Sequence, residues 1–206
     1  MITIVNYGSG NIQAIANIYG RLNIPFVVAS TPDELLAAEK LLLPGVGAFD
    51  QAMNELESSG MRRALDRRVV EEGTPVLGIC VGMQLFAHSS EEGRAAGLGW
   101  IDGEVKRFDH ANFHQATHLP HMGWNTVEPS HGNPLFADVD LRTGYYFLHS
   151  YYFSCNDDRD VLAVTDYGAP FTCAVHRQNV YGVQFHPEKS HHAGVQLLKN
   201  FALMSG

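Results

Sequence analysis

Basic residues are scarce in this chain. Of 206 residues only 14 are Lys or Arg, against 22 Asp or Glu, giving a formal net charge of −8. That deficit argues against a nucleic-acid binder or a polybasic membrane-surface protein, since both need clustered cations. Cysteine is equally sparse. Cys80, Cys155 and Cys173 are an odd number, far apart and without a CxxC pair, which fits a reduced intracellular compartment better than a disulfide framework. No apolar run approaches the roughly 20 residues of a membrane span. The opening Met1-Ile2-Thr3-Ile4-Val5-Asn6 lacks the basic region and cleavage site of a signal peptide. No repeat, low-complexity stretch or Gly/Ser/Pro-rich linker interrupts the chain. What is present is 45% hydrophobic residues with 17% charged ones, enough apolar surface to fold without a staple. The expectation is a cytoplasmic globular protein, with residues 1–206 forming one domain.

The first half alternates short apolar runs with helical periodicity. Ile2 to Asn6 reads as a strand, ending in the turn Tyr7-Gly8-Ser9-Gly10. Ile12, Ile15, Ala16, Ile18, Tyr19 and Leu22 recur at helical spacing. Phe26 to Ala29 reads as a second strand, and Thr31-Pro32-Asp33-Glu34 as a helix start with an N-cap, Pro at the first position and Glu at the third. Lys40 to Leu43 is a buried strand stopped by Pro44-Gly45-Val46-Gly47, helical patterns follow near 48–58 and 61–72, and Pro75 to Ile79 is a fourth strand. Strands alternating with helices imply βαβ units and a mostly parallel sheet. After about residue 100 the texture changes to short strands near 103–108, 124–127, 145–153, 160–165, 171–176 and 180–184, which suggests an added antiparallel layer. His191 to Met204 closes as a helix with Val195, Leu198, Phe201 and Ala202 on one face.

The sharpest chemical signal is Gly78-Ile79-Cys80-Val81-Gly82. A strand that turns abruptly into a helix strains its middle residue, and flanking glycines give it room. Cys80 stands where a nucleophile elbow carries its reactive atom, near a helix N-terminus that favours the thiolate. Taken alone, the pentapeptide also fits a buried structural cysteine beside two packing glycines. A cysteine nucleophile needs a base, and the base an orienting group. Gly182-Val183-Gln184-Phe185-His186-Pro187-Glu188 offers both. In an extended segment residues i and i+2 share a side, so His186 and Glu188 would project together. An oxyanion hole needs two backbone N–H groups: Val81, next after the nucleophile, offers one, and the Pro44-Gly45-Val46-Gly47 turn the other.

PGVGAF, GICVGMQLF and YGVQFHPEKS, in that order, resemble the class I (triad) glutamine amidotransferases. NYGSGN at the start, LPHMGWN at 119–125, YYFLHSYY at 145–152 and LLKNF at 197–201 extend the likeness over essentially the whole chain. They are similar to the HisH group within that family, the glutaminase subunits of imidazole glycerol phosphate synthase. The resemblance implies an α/β, flavodoxin-like fold: a central mostly parallel sheet flanked by helices, with an additional antiparallel β layer. It implies that Cys80 attacks the side-chain amide of glutamine to form a γ-glutamyl thioester. His186 would shuttle the proton to departing ammonia and later activate water, and Glu188 would orient His186. Val81 and the Gly45–Val46 peptide would hold the oxyanion, the latter after a flip. Gln84 and Glu92 would hold the amino-acid end of glutamine, flanked by the backbone of His149, Ser150 and Tyr151. Asn11, Trp124, Asn125 and Lys189 would face a (β/α)8 synthase partner of the HisF type, into which ammonia passes. No cofactor and no metal are implied.

Two departures bear on the pathway. Histidine-pathway members usually carry Asp where Asn6 stands and Met where Ser9 stands, and Gln is more usual at the position of His191. Both features also resemble a paralogous group that delivers ammonia for amidino-sugar assembly in surface polysaccharide. A cysteine hydrolase on the same elbow, needing no partner, is the alternative from another class; Gln84, Glu92 and HMGWN have no evident task in it. His110, His114, His118 and His121 could line a helical face and bind zinc, but Asn112, Thr117 and Pro120 among them favour a solvated loop. Gly8-Ser9-Gly10 does not complete a dinucleotide fingerprint, because position 13 is Gln13.

Overall fold

Nearly every strand of the first half is apolar on both faces, which commits it to the middle of a sheet covered by helices. A computed structural model describes residues 1–109, 111, 114, 118–130 and 132–204. The chain runs β1 (Ile2–Val5), α1 (Ile12–Arg21), β2 (Phe26–Ala29), β3 (Lys40–Gly45), α2 (Phe49–Ser58), α3 (Met61–Asp66), β4 (Val76–Cys80) and α4 (Val81–Gln84). It continues through β5 (Ser89–Ser90), β6 (Gly103–Arg107), β7 (His121–Asn125), β8 (Glu128–Pro129), β9 (Tyr145–His149), β10 (Tyr151–Cys155), β11 (Val161–Asp166), β12 (Pro170–Arg177), β13 (Val180–Val183) and α5 (His191–Leu203).

Eight strands form one sheet in the order β2-β1-β3-β4-β13-β12-β11-β8. The β2, β1, β3, β4 and β13 pairings are parallel, and the rest are antiparallel. The second half therefore does more than add a layer: four of its strands extend the central sheet itself. β13 joins in parallel, and the expected antiparallel addition takes shape as β12, β11 and β8 together with the β10-β6 and β7-β9 pairs of two small sheets, β10-β6-β5 and β7-β9. Register explains where chemistry can gather. Gly45 pairs with Cys80, and Val183 pairs with Ile79. Three adjacent parallel strands, β3, β4 and β13, thus end at the same edge, the carboxyl edge where open α/β sheets hold their ligands.

Several local expectations shift. Pro44 does not stop β3, which runs on to Gly45. The ladder to β1 covers only Lys40 to Leu42, so the missing N–H of Pro44 costs no bond there. Thr31 does not open an α-helix. Only the 3-10 turn Asp33–Leu35 forms, with Glu34 accepting the Ser30 and Thr31 N–H groups at 2.6 and 3.1 Å. One more turn follows, closed by Ala38 N–H on the Leu35 carbonyl at 3.1 Å, and the chain then enters β3 at Lys40, which leaves no room for an α-helix. The 61–72 helix changes at Arg67–Glu71 into a π turn. The 145–153 run is two strands, because at Ser150 the chain exchanges β7 for β6 as its partner. β7 begins at His121, ahead of the expected Trp124. On α5 the buried face is Gly194, Leu197, Leu198 and Phe201, while Val195 and Ala202 lie at its margin. Lys40 donates to the carbonyls of Phe201 (3.2 Å), Ala202 (2.7 Å) and Met204, a cation closing the C-terminal end of that helix.

Candidate active site

Cys80 is the last residue of β4 and the residue before α4, and its φ is +54°. A non-glycine residue held there is strained, and the surrounding packing must enforce it. Two glycines make that packing possible. A Cβ on Gly82 would fall 1.8 Å from the Leu43 carbonyl oxygen, and one on Gly78 would fall 2.6 Å from the Phe86 ring. The strand-to-helix turn can approach β3 this closely only because no side chains intervene.

His186 and Glu188 reach the same edge from the far side of β4. Beyond β13 the chain is tied to β9: His186 N–H donates to the Tyr146 carbonyl at 2.8 Å. The Ser190 hydroxyl donates to the His186 carbonyl at 2.6 Å and accepts the Tyr146 N–H at 3.0 Å. The extended geometry expected for this pair is not what joins them. Pro187–Lys189 is a 3-10 turn, and it brings Glu188 Oε1 to 2.9 Å from His186 Nδ1. Both side chains are almost fully enclosed, 4% and 1% exposed. Burial pulls the His186 imidazolium toward neutrality. Hydrogen bonds to Cys80 and Glu188 outweigh it and push the pKa up to about 10. The ring holds a proton at neutral pH, on the side of the sulfur and the carboxylate that stabilise it.

A cavity of about 330 Å³ opens on these groups, lined by Cys80, Val81, Gln84, Glu92 and His186 and by the 149–151 segment. Its size suits an amino-acid-sized ligand. Gln84 donates its amide to the Tyr151 carbonyl (3.1 Å) and to Gln184 Oε1 (2.9 Å). Glu92 Oε2 accepts the Phe49 N–H at 2.9 Å, at the positive end of α2, and Asp50 on the same helix accepts the Arg94 and Ala95 N–H groups. That second tie fixes the loop carrying Glu92. Val81 is the first residue of α4, beside the thiol. The Val46 amide, by contrast, is engaged elsewhere. Its N–H donates to the Ser9 hydroxyl at 3.0 Å, and the same hydroxyl lies 3.0 Å from the Val46 carbonyl, to which it donates.

Residues 3–204 match the family described as Glutamine amidotransferase class-I. The chain is 54% identical to the "Imidazole glycerol phosphate synthase subunit HisH" of Bdellovibrio bacteriovorus, over 98% of this chain and 99% of that one. It is 48% identical to the protein of the same name from Leptospira borgpetersenii, again over 98% and 99%. The chain belongs to the class I glutamine amidotransferases, in the HisH family. The structure of PurLQS from Thermotoga maritima superposes with a TM-score of 0.72 at 15% identity, covering 98% of this chain and 96% of that one; at that identity the likeness speaks for the fold.

The remaining residues picked from the HisH resemblance divide between two faces. Trp124 is half-exposed, stacked on His191 (centroids 4.9 Å, 10°) and edge-on to Tyr146 (6.3 Å), over whose ring Lys189 Nζ sits at 5.6 Å. Beside them Met122 and Leu148 pair across β7 and β9, both exposed. Trp124 and Lys189 therefore share an apolar surface at the mouth of the cavity. Asn125 lies on the other face of β7, donating to the Asp166 carbonyl at 2.7 Å. Asn11 precedes α1 and is half-buried, after the Gly10 turn that packs on Pro44. Of the histidine run, His110 lies outside the described residues, His114 pairs with Asp166 at 3.5 Å and His121 is buried. Among the described residues no group of three or more His, Cys, Asp or Glu could hold a metal ion, and no helix is long and apolar enough to cross a membrane.

Sequence reasoning missed three groups here. Gln184, fully buried, directs its amide at Cys80 Sγ from 3.7 Å. Its signal was its place two residues before His186. Ser190 is the clamp described above. The third is the pair His121 and His149, whose facing nitrogens are 3.0 Å apart. Burial lowers the pKa of His121 to about 4; burial and then the neighbouring His121 lower that of His149 to about 3. Unfolded, both rings titrate near 6.5, so below that pH the unfolded chain binds more protons and the fold loses stability. The melting temperature is expected to fall between pH 6.5 and 4, and to fall less steeply in His121→Phe; a scan by circular dichroism checks this.

Proposed function

We propose that this chain, a single domain over residues 1–206, is the cytoplasmic glutaminase subunit of an imidazole glycerol phosphate synthase. It would release ammonia from glutamine for a HisF-type (β/α)8 partner, as one half of a heterodimer. The observation that carries the reading is Cys80, strained at the end of β4 and facing the His186–Glu188 pair at an open cavity of about 330 Å³. The Cys80 sulfur attacks the side-chain amide carbon of glutamine, forming a C–S bond and an oxyanion. His186 gives its proton to the amide nitrogen, the C–N bond breaks, and ammonia leaves a γ-glutamyl thioester. His186 then takes a proton from water, which attacks the thioester; the C–S bond breaks and glutamate leaves. Glu188 holds the Nδ1–H tautomer throughout, so that Nε2 is the nitrogen that works. Gln84 and Glu92 hold the amino-acid end of glutamine against the 149–151 backbone. Ammonia leaves by the face bearing Trp124 and Lys189 toward the partner, with Asn11 near it, while Asn125 braces β7 from the opposite face. Sequestration suits the chemistry, because ammonia in bulk water near pH 7 is mostly ammonium, which is no nucleophile.

Val81 supplies one oxyanion donor. The second, from the Gly45–Val46 peptide, requires Val46 N–H to leave Ser9. The isolated chain is therefore expected to be nearly inactive, and docking of the partner to release the peptide. Ser9→Ala removes both contacts to Val46. It should raise partner-independent ammonia release about five- to tenfold and shrink the partner's stimulation by the same factor. Unchanged basal turnover in that variant would refute the latch.

The reading itself is tested by ammonia release from glutamine with and without the histidine-pathway synthase, with Cys80→Ala as the blank. Activity that needs both the synthase and Cys80 supports it. Silence with that synthase, but activity with the partner of amidino-sugar assembly, moves the chain to the paralogous pathway. Cys80-dependent hydrolysis with no partner at all would make it a stand-alone hydrolase.

A further inference from the structure

We propose that His121 and His149 are positioning residues for glutamine: a one-way chain of hydrogen bonds through them fixes the Tyr151 carbonyl in the cavity wall. The proposal rests on reading that cavity as the glutamine site. His149 Nδ1 lies 2.8 Å from the Tyr151 carbonyl oxygen. A carbonyl only accepts, so Nδ1 carries the proton. The other nitrogen of a neutral ring is an acceptor, and His149 Nε2 faces His121 Nδ1 at 3.0 Å. His121 must therefore donate from Nδ1 and accept at Nε2. Asn125 Nδ2 stands 3.4 Å from that Nε2. The orientation of the Asn125 amide is fixed independently, because Nδ2 also donates to the Asp166 carbonyl at 2.7 Å and Oδ1 accepts the Thr126 N–H at 2.9 Å.

Each polar atom of both rings is used, and only one tautomer of each satisfies the set. Reversing either ring sets two N–H groups, or a lone pair and a carbonyl, against each other in a buried place. His121 and His149 are 2% and 7% exposed. The His121 ring is held flat between Phe147 (4.6 Å, 17°) and Tyr167 (3.9 Å, 21°), so it cannot turn to seek another partner. At the inner end the Tyr151 carbonyl has a second donor, Gln84 Nε2, at 3.1 Å, and Gln84 continues to Gln184 beside Cys80. Without the His121 donor, His149 keeps an unsatisfied Nε2 or moves its proton there and abandons Tyr151. In both cases the wall that flanks glutamine slackens, while the triad keeps its own contacts. The effect is on substrate binding and not on the chemical step.

His121→Phe preserves the stacked ring and removes the donor. His121→Asn removes the ring and places an amide N–H near the Nδ1 position. In complex with the synthase partner, His121→Phe is expected to raise KM for glutamine about tenfold with kcat within about twofold, and His121→Asn to restore most of the loss. Ring 15N shifts should place the His149 proton on Nδ1 in the wild type and in His121→Asn. A KM unmoved in His121→Phe, with a wild-type complex that turns glutamine over normally, overturns the positioning role alone. A KM that follows the ring rather than the donor overturns it too, as does a wild-type His149 protonated on Nε2. A wild-type complex that releases no ammonia from glutamine overturns the reading of the cavity, and the proposal with it. Should His121→Phe fail to fold, the His121→Asn kinetics and the wild-type 15N shifts still decide.

Discussion

Glu188→Gln is expected to lower kcat for glutamine hydrolysis about 10³-fold, with KM changed no more than about threefold. Glu188 accepts the Nδ1–H of His186 at 2.9 Å in an almost fully buried pair. Glutamine in its place can present its oxygen, keeping the tautomer without the charge, or its NH2 group, forcing the proton to Nε2. The first lowers the basicity of the ring; the second takes away the nitrogen that must accept a proton. The same substitution has a signature in stability. His186 titrates near 6.5 in an unfolded chain and at about 10 in the fold, where Cys80 and Glu188 overcome the cost of burial. The stabilisation from this raised pKa is complete below about pH 6.5 and drains away as the pH climbs toward 10. In Glu188→Gln the loss across that alkaline window should be smaller. Steady-state kinetics and melting temperatures between pH 6 and 10 measure both; a kcat within tenfold of wild type would remove Glu188 from the orienting role.

Gly82→Ala should have the largest effect on the fold. The new Cβ would sit 1.8 Å from the Leu43 carbonyl oxygen and 2.9 Å from its carbon, both backbone atoms of the central strand β3. Neither can move without dragging the β3–β4 ladder, whose pairs run from Leu41–Val76 to Gly45–Cys80. A destabilisation of about 3 kcal/mol or more follows, a drop of roughly 6–12 °C in melting temperature for a chain of this size. Because Val81 and Cys80 adjoin Gly82, the surviving folded fraction should also lose activity. Differential scanning calorimetry beside an ammonia assay separates the two effects, and a melting temperature within a degree or two of wild type would contradict the packing argument.

These two positions were visible in the sequence for different reasons. Gly82 belongs to a pentapeptide whose geometry is local: strand, sharp turn, helix, with glycines on either side of Cys80. His186 and Glu188 sit two residues apart, so some contact between them was legible. The form of that contact was not, because an extended segment and a 3-10 turn both bring i and i+2 near each other, and the choice was made by Ser190 and Tyr146 from another strand. Pro44 misled for the same reason. Its missing N–H ends a strand only if a neighbour waits to be paired, and β1 has already run out at that point.

Contiguous residues alone carried the alternation of buried strands and amphipathic helices, the elbow at Cys80 and the His186–Glu188 pair, whereas the candidate pocket walls came from the resemblance to the HisH group. Periodicity, glycine placement and short-range spacing are properties of contiguous residues, and they survive whatever the rest of the chain does. Only the tertiary structure decided that β13 lies beside β4 and brings His186 to Cys80 across more than a hundred residues of chain, that the Val46 amide is held by Ser9, and that His121, His149, Gln84 and Gln184 join Asn125 to the thiol. Those contacts depend on which strands become neighbours and on which polar groups burial leaves in need of a partner. Both are fixed when the sheet assembles, because an unpaired polar group costs most where water is excluded.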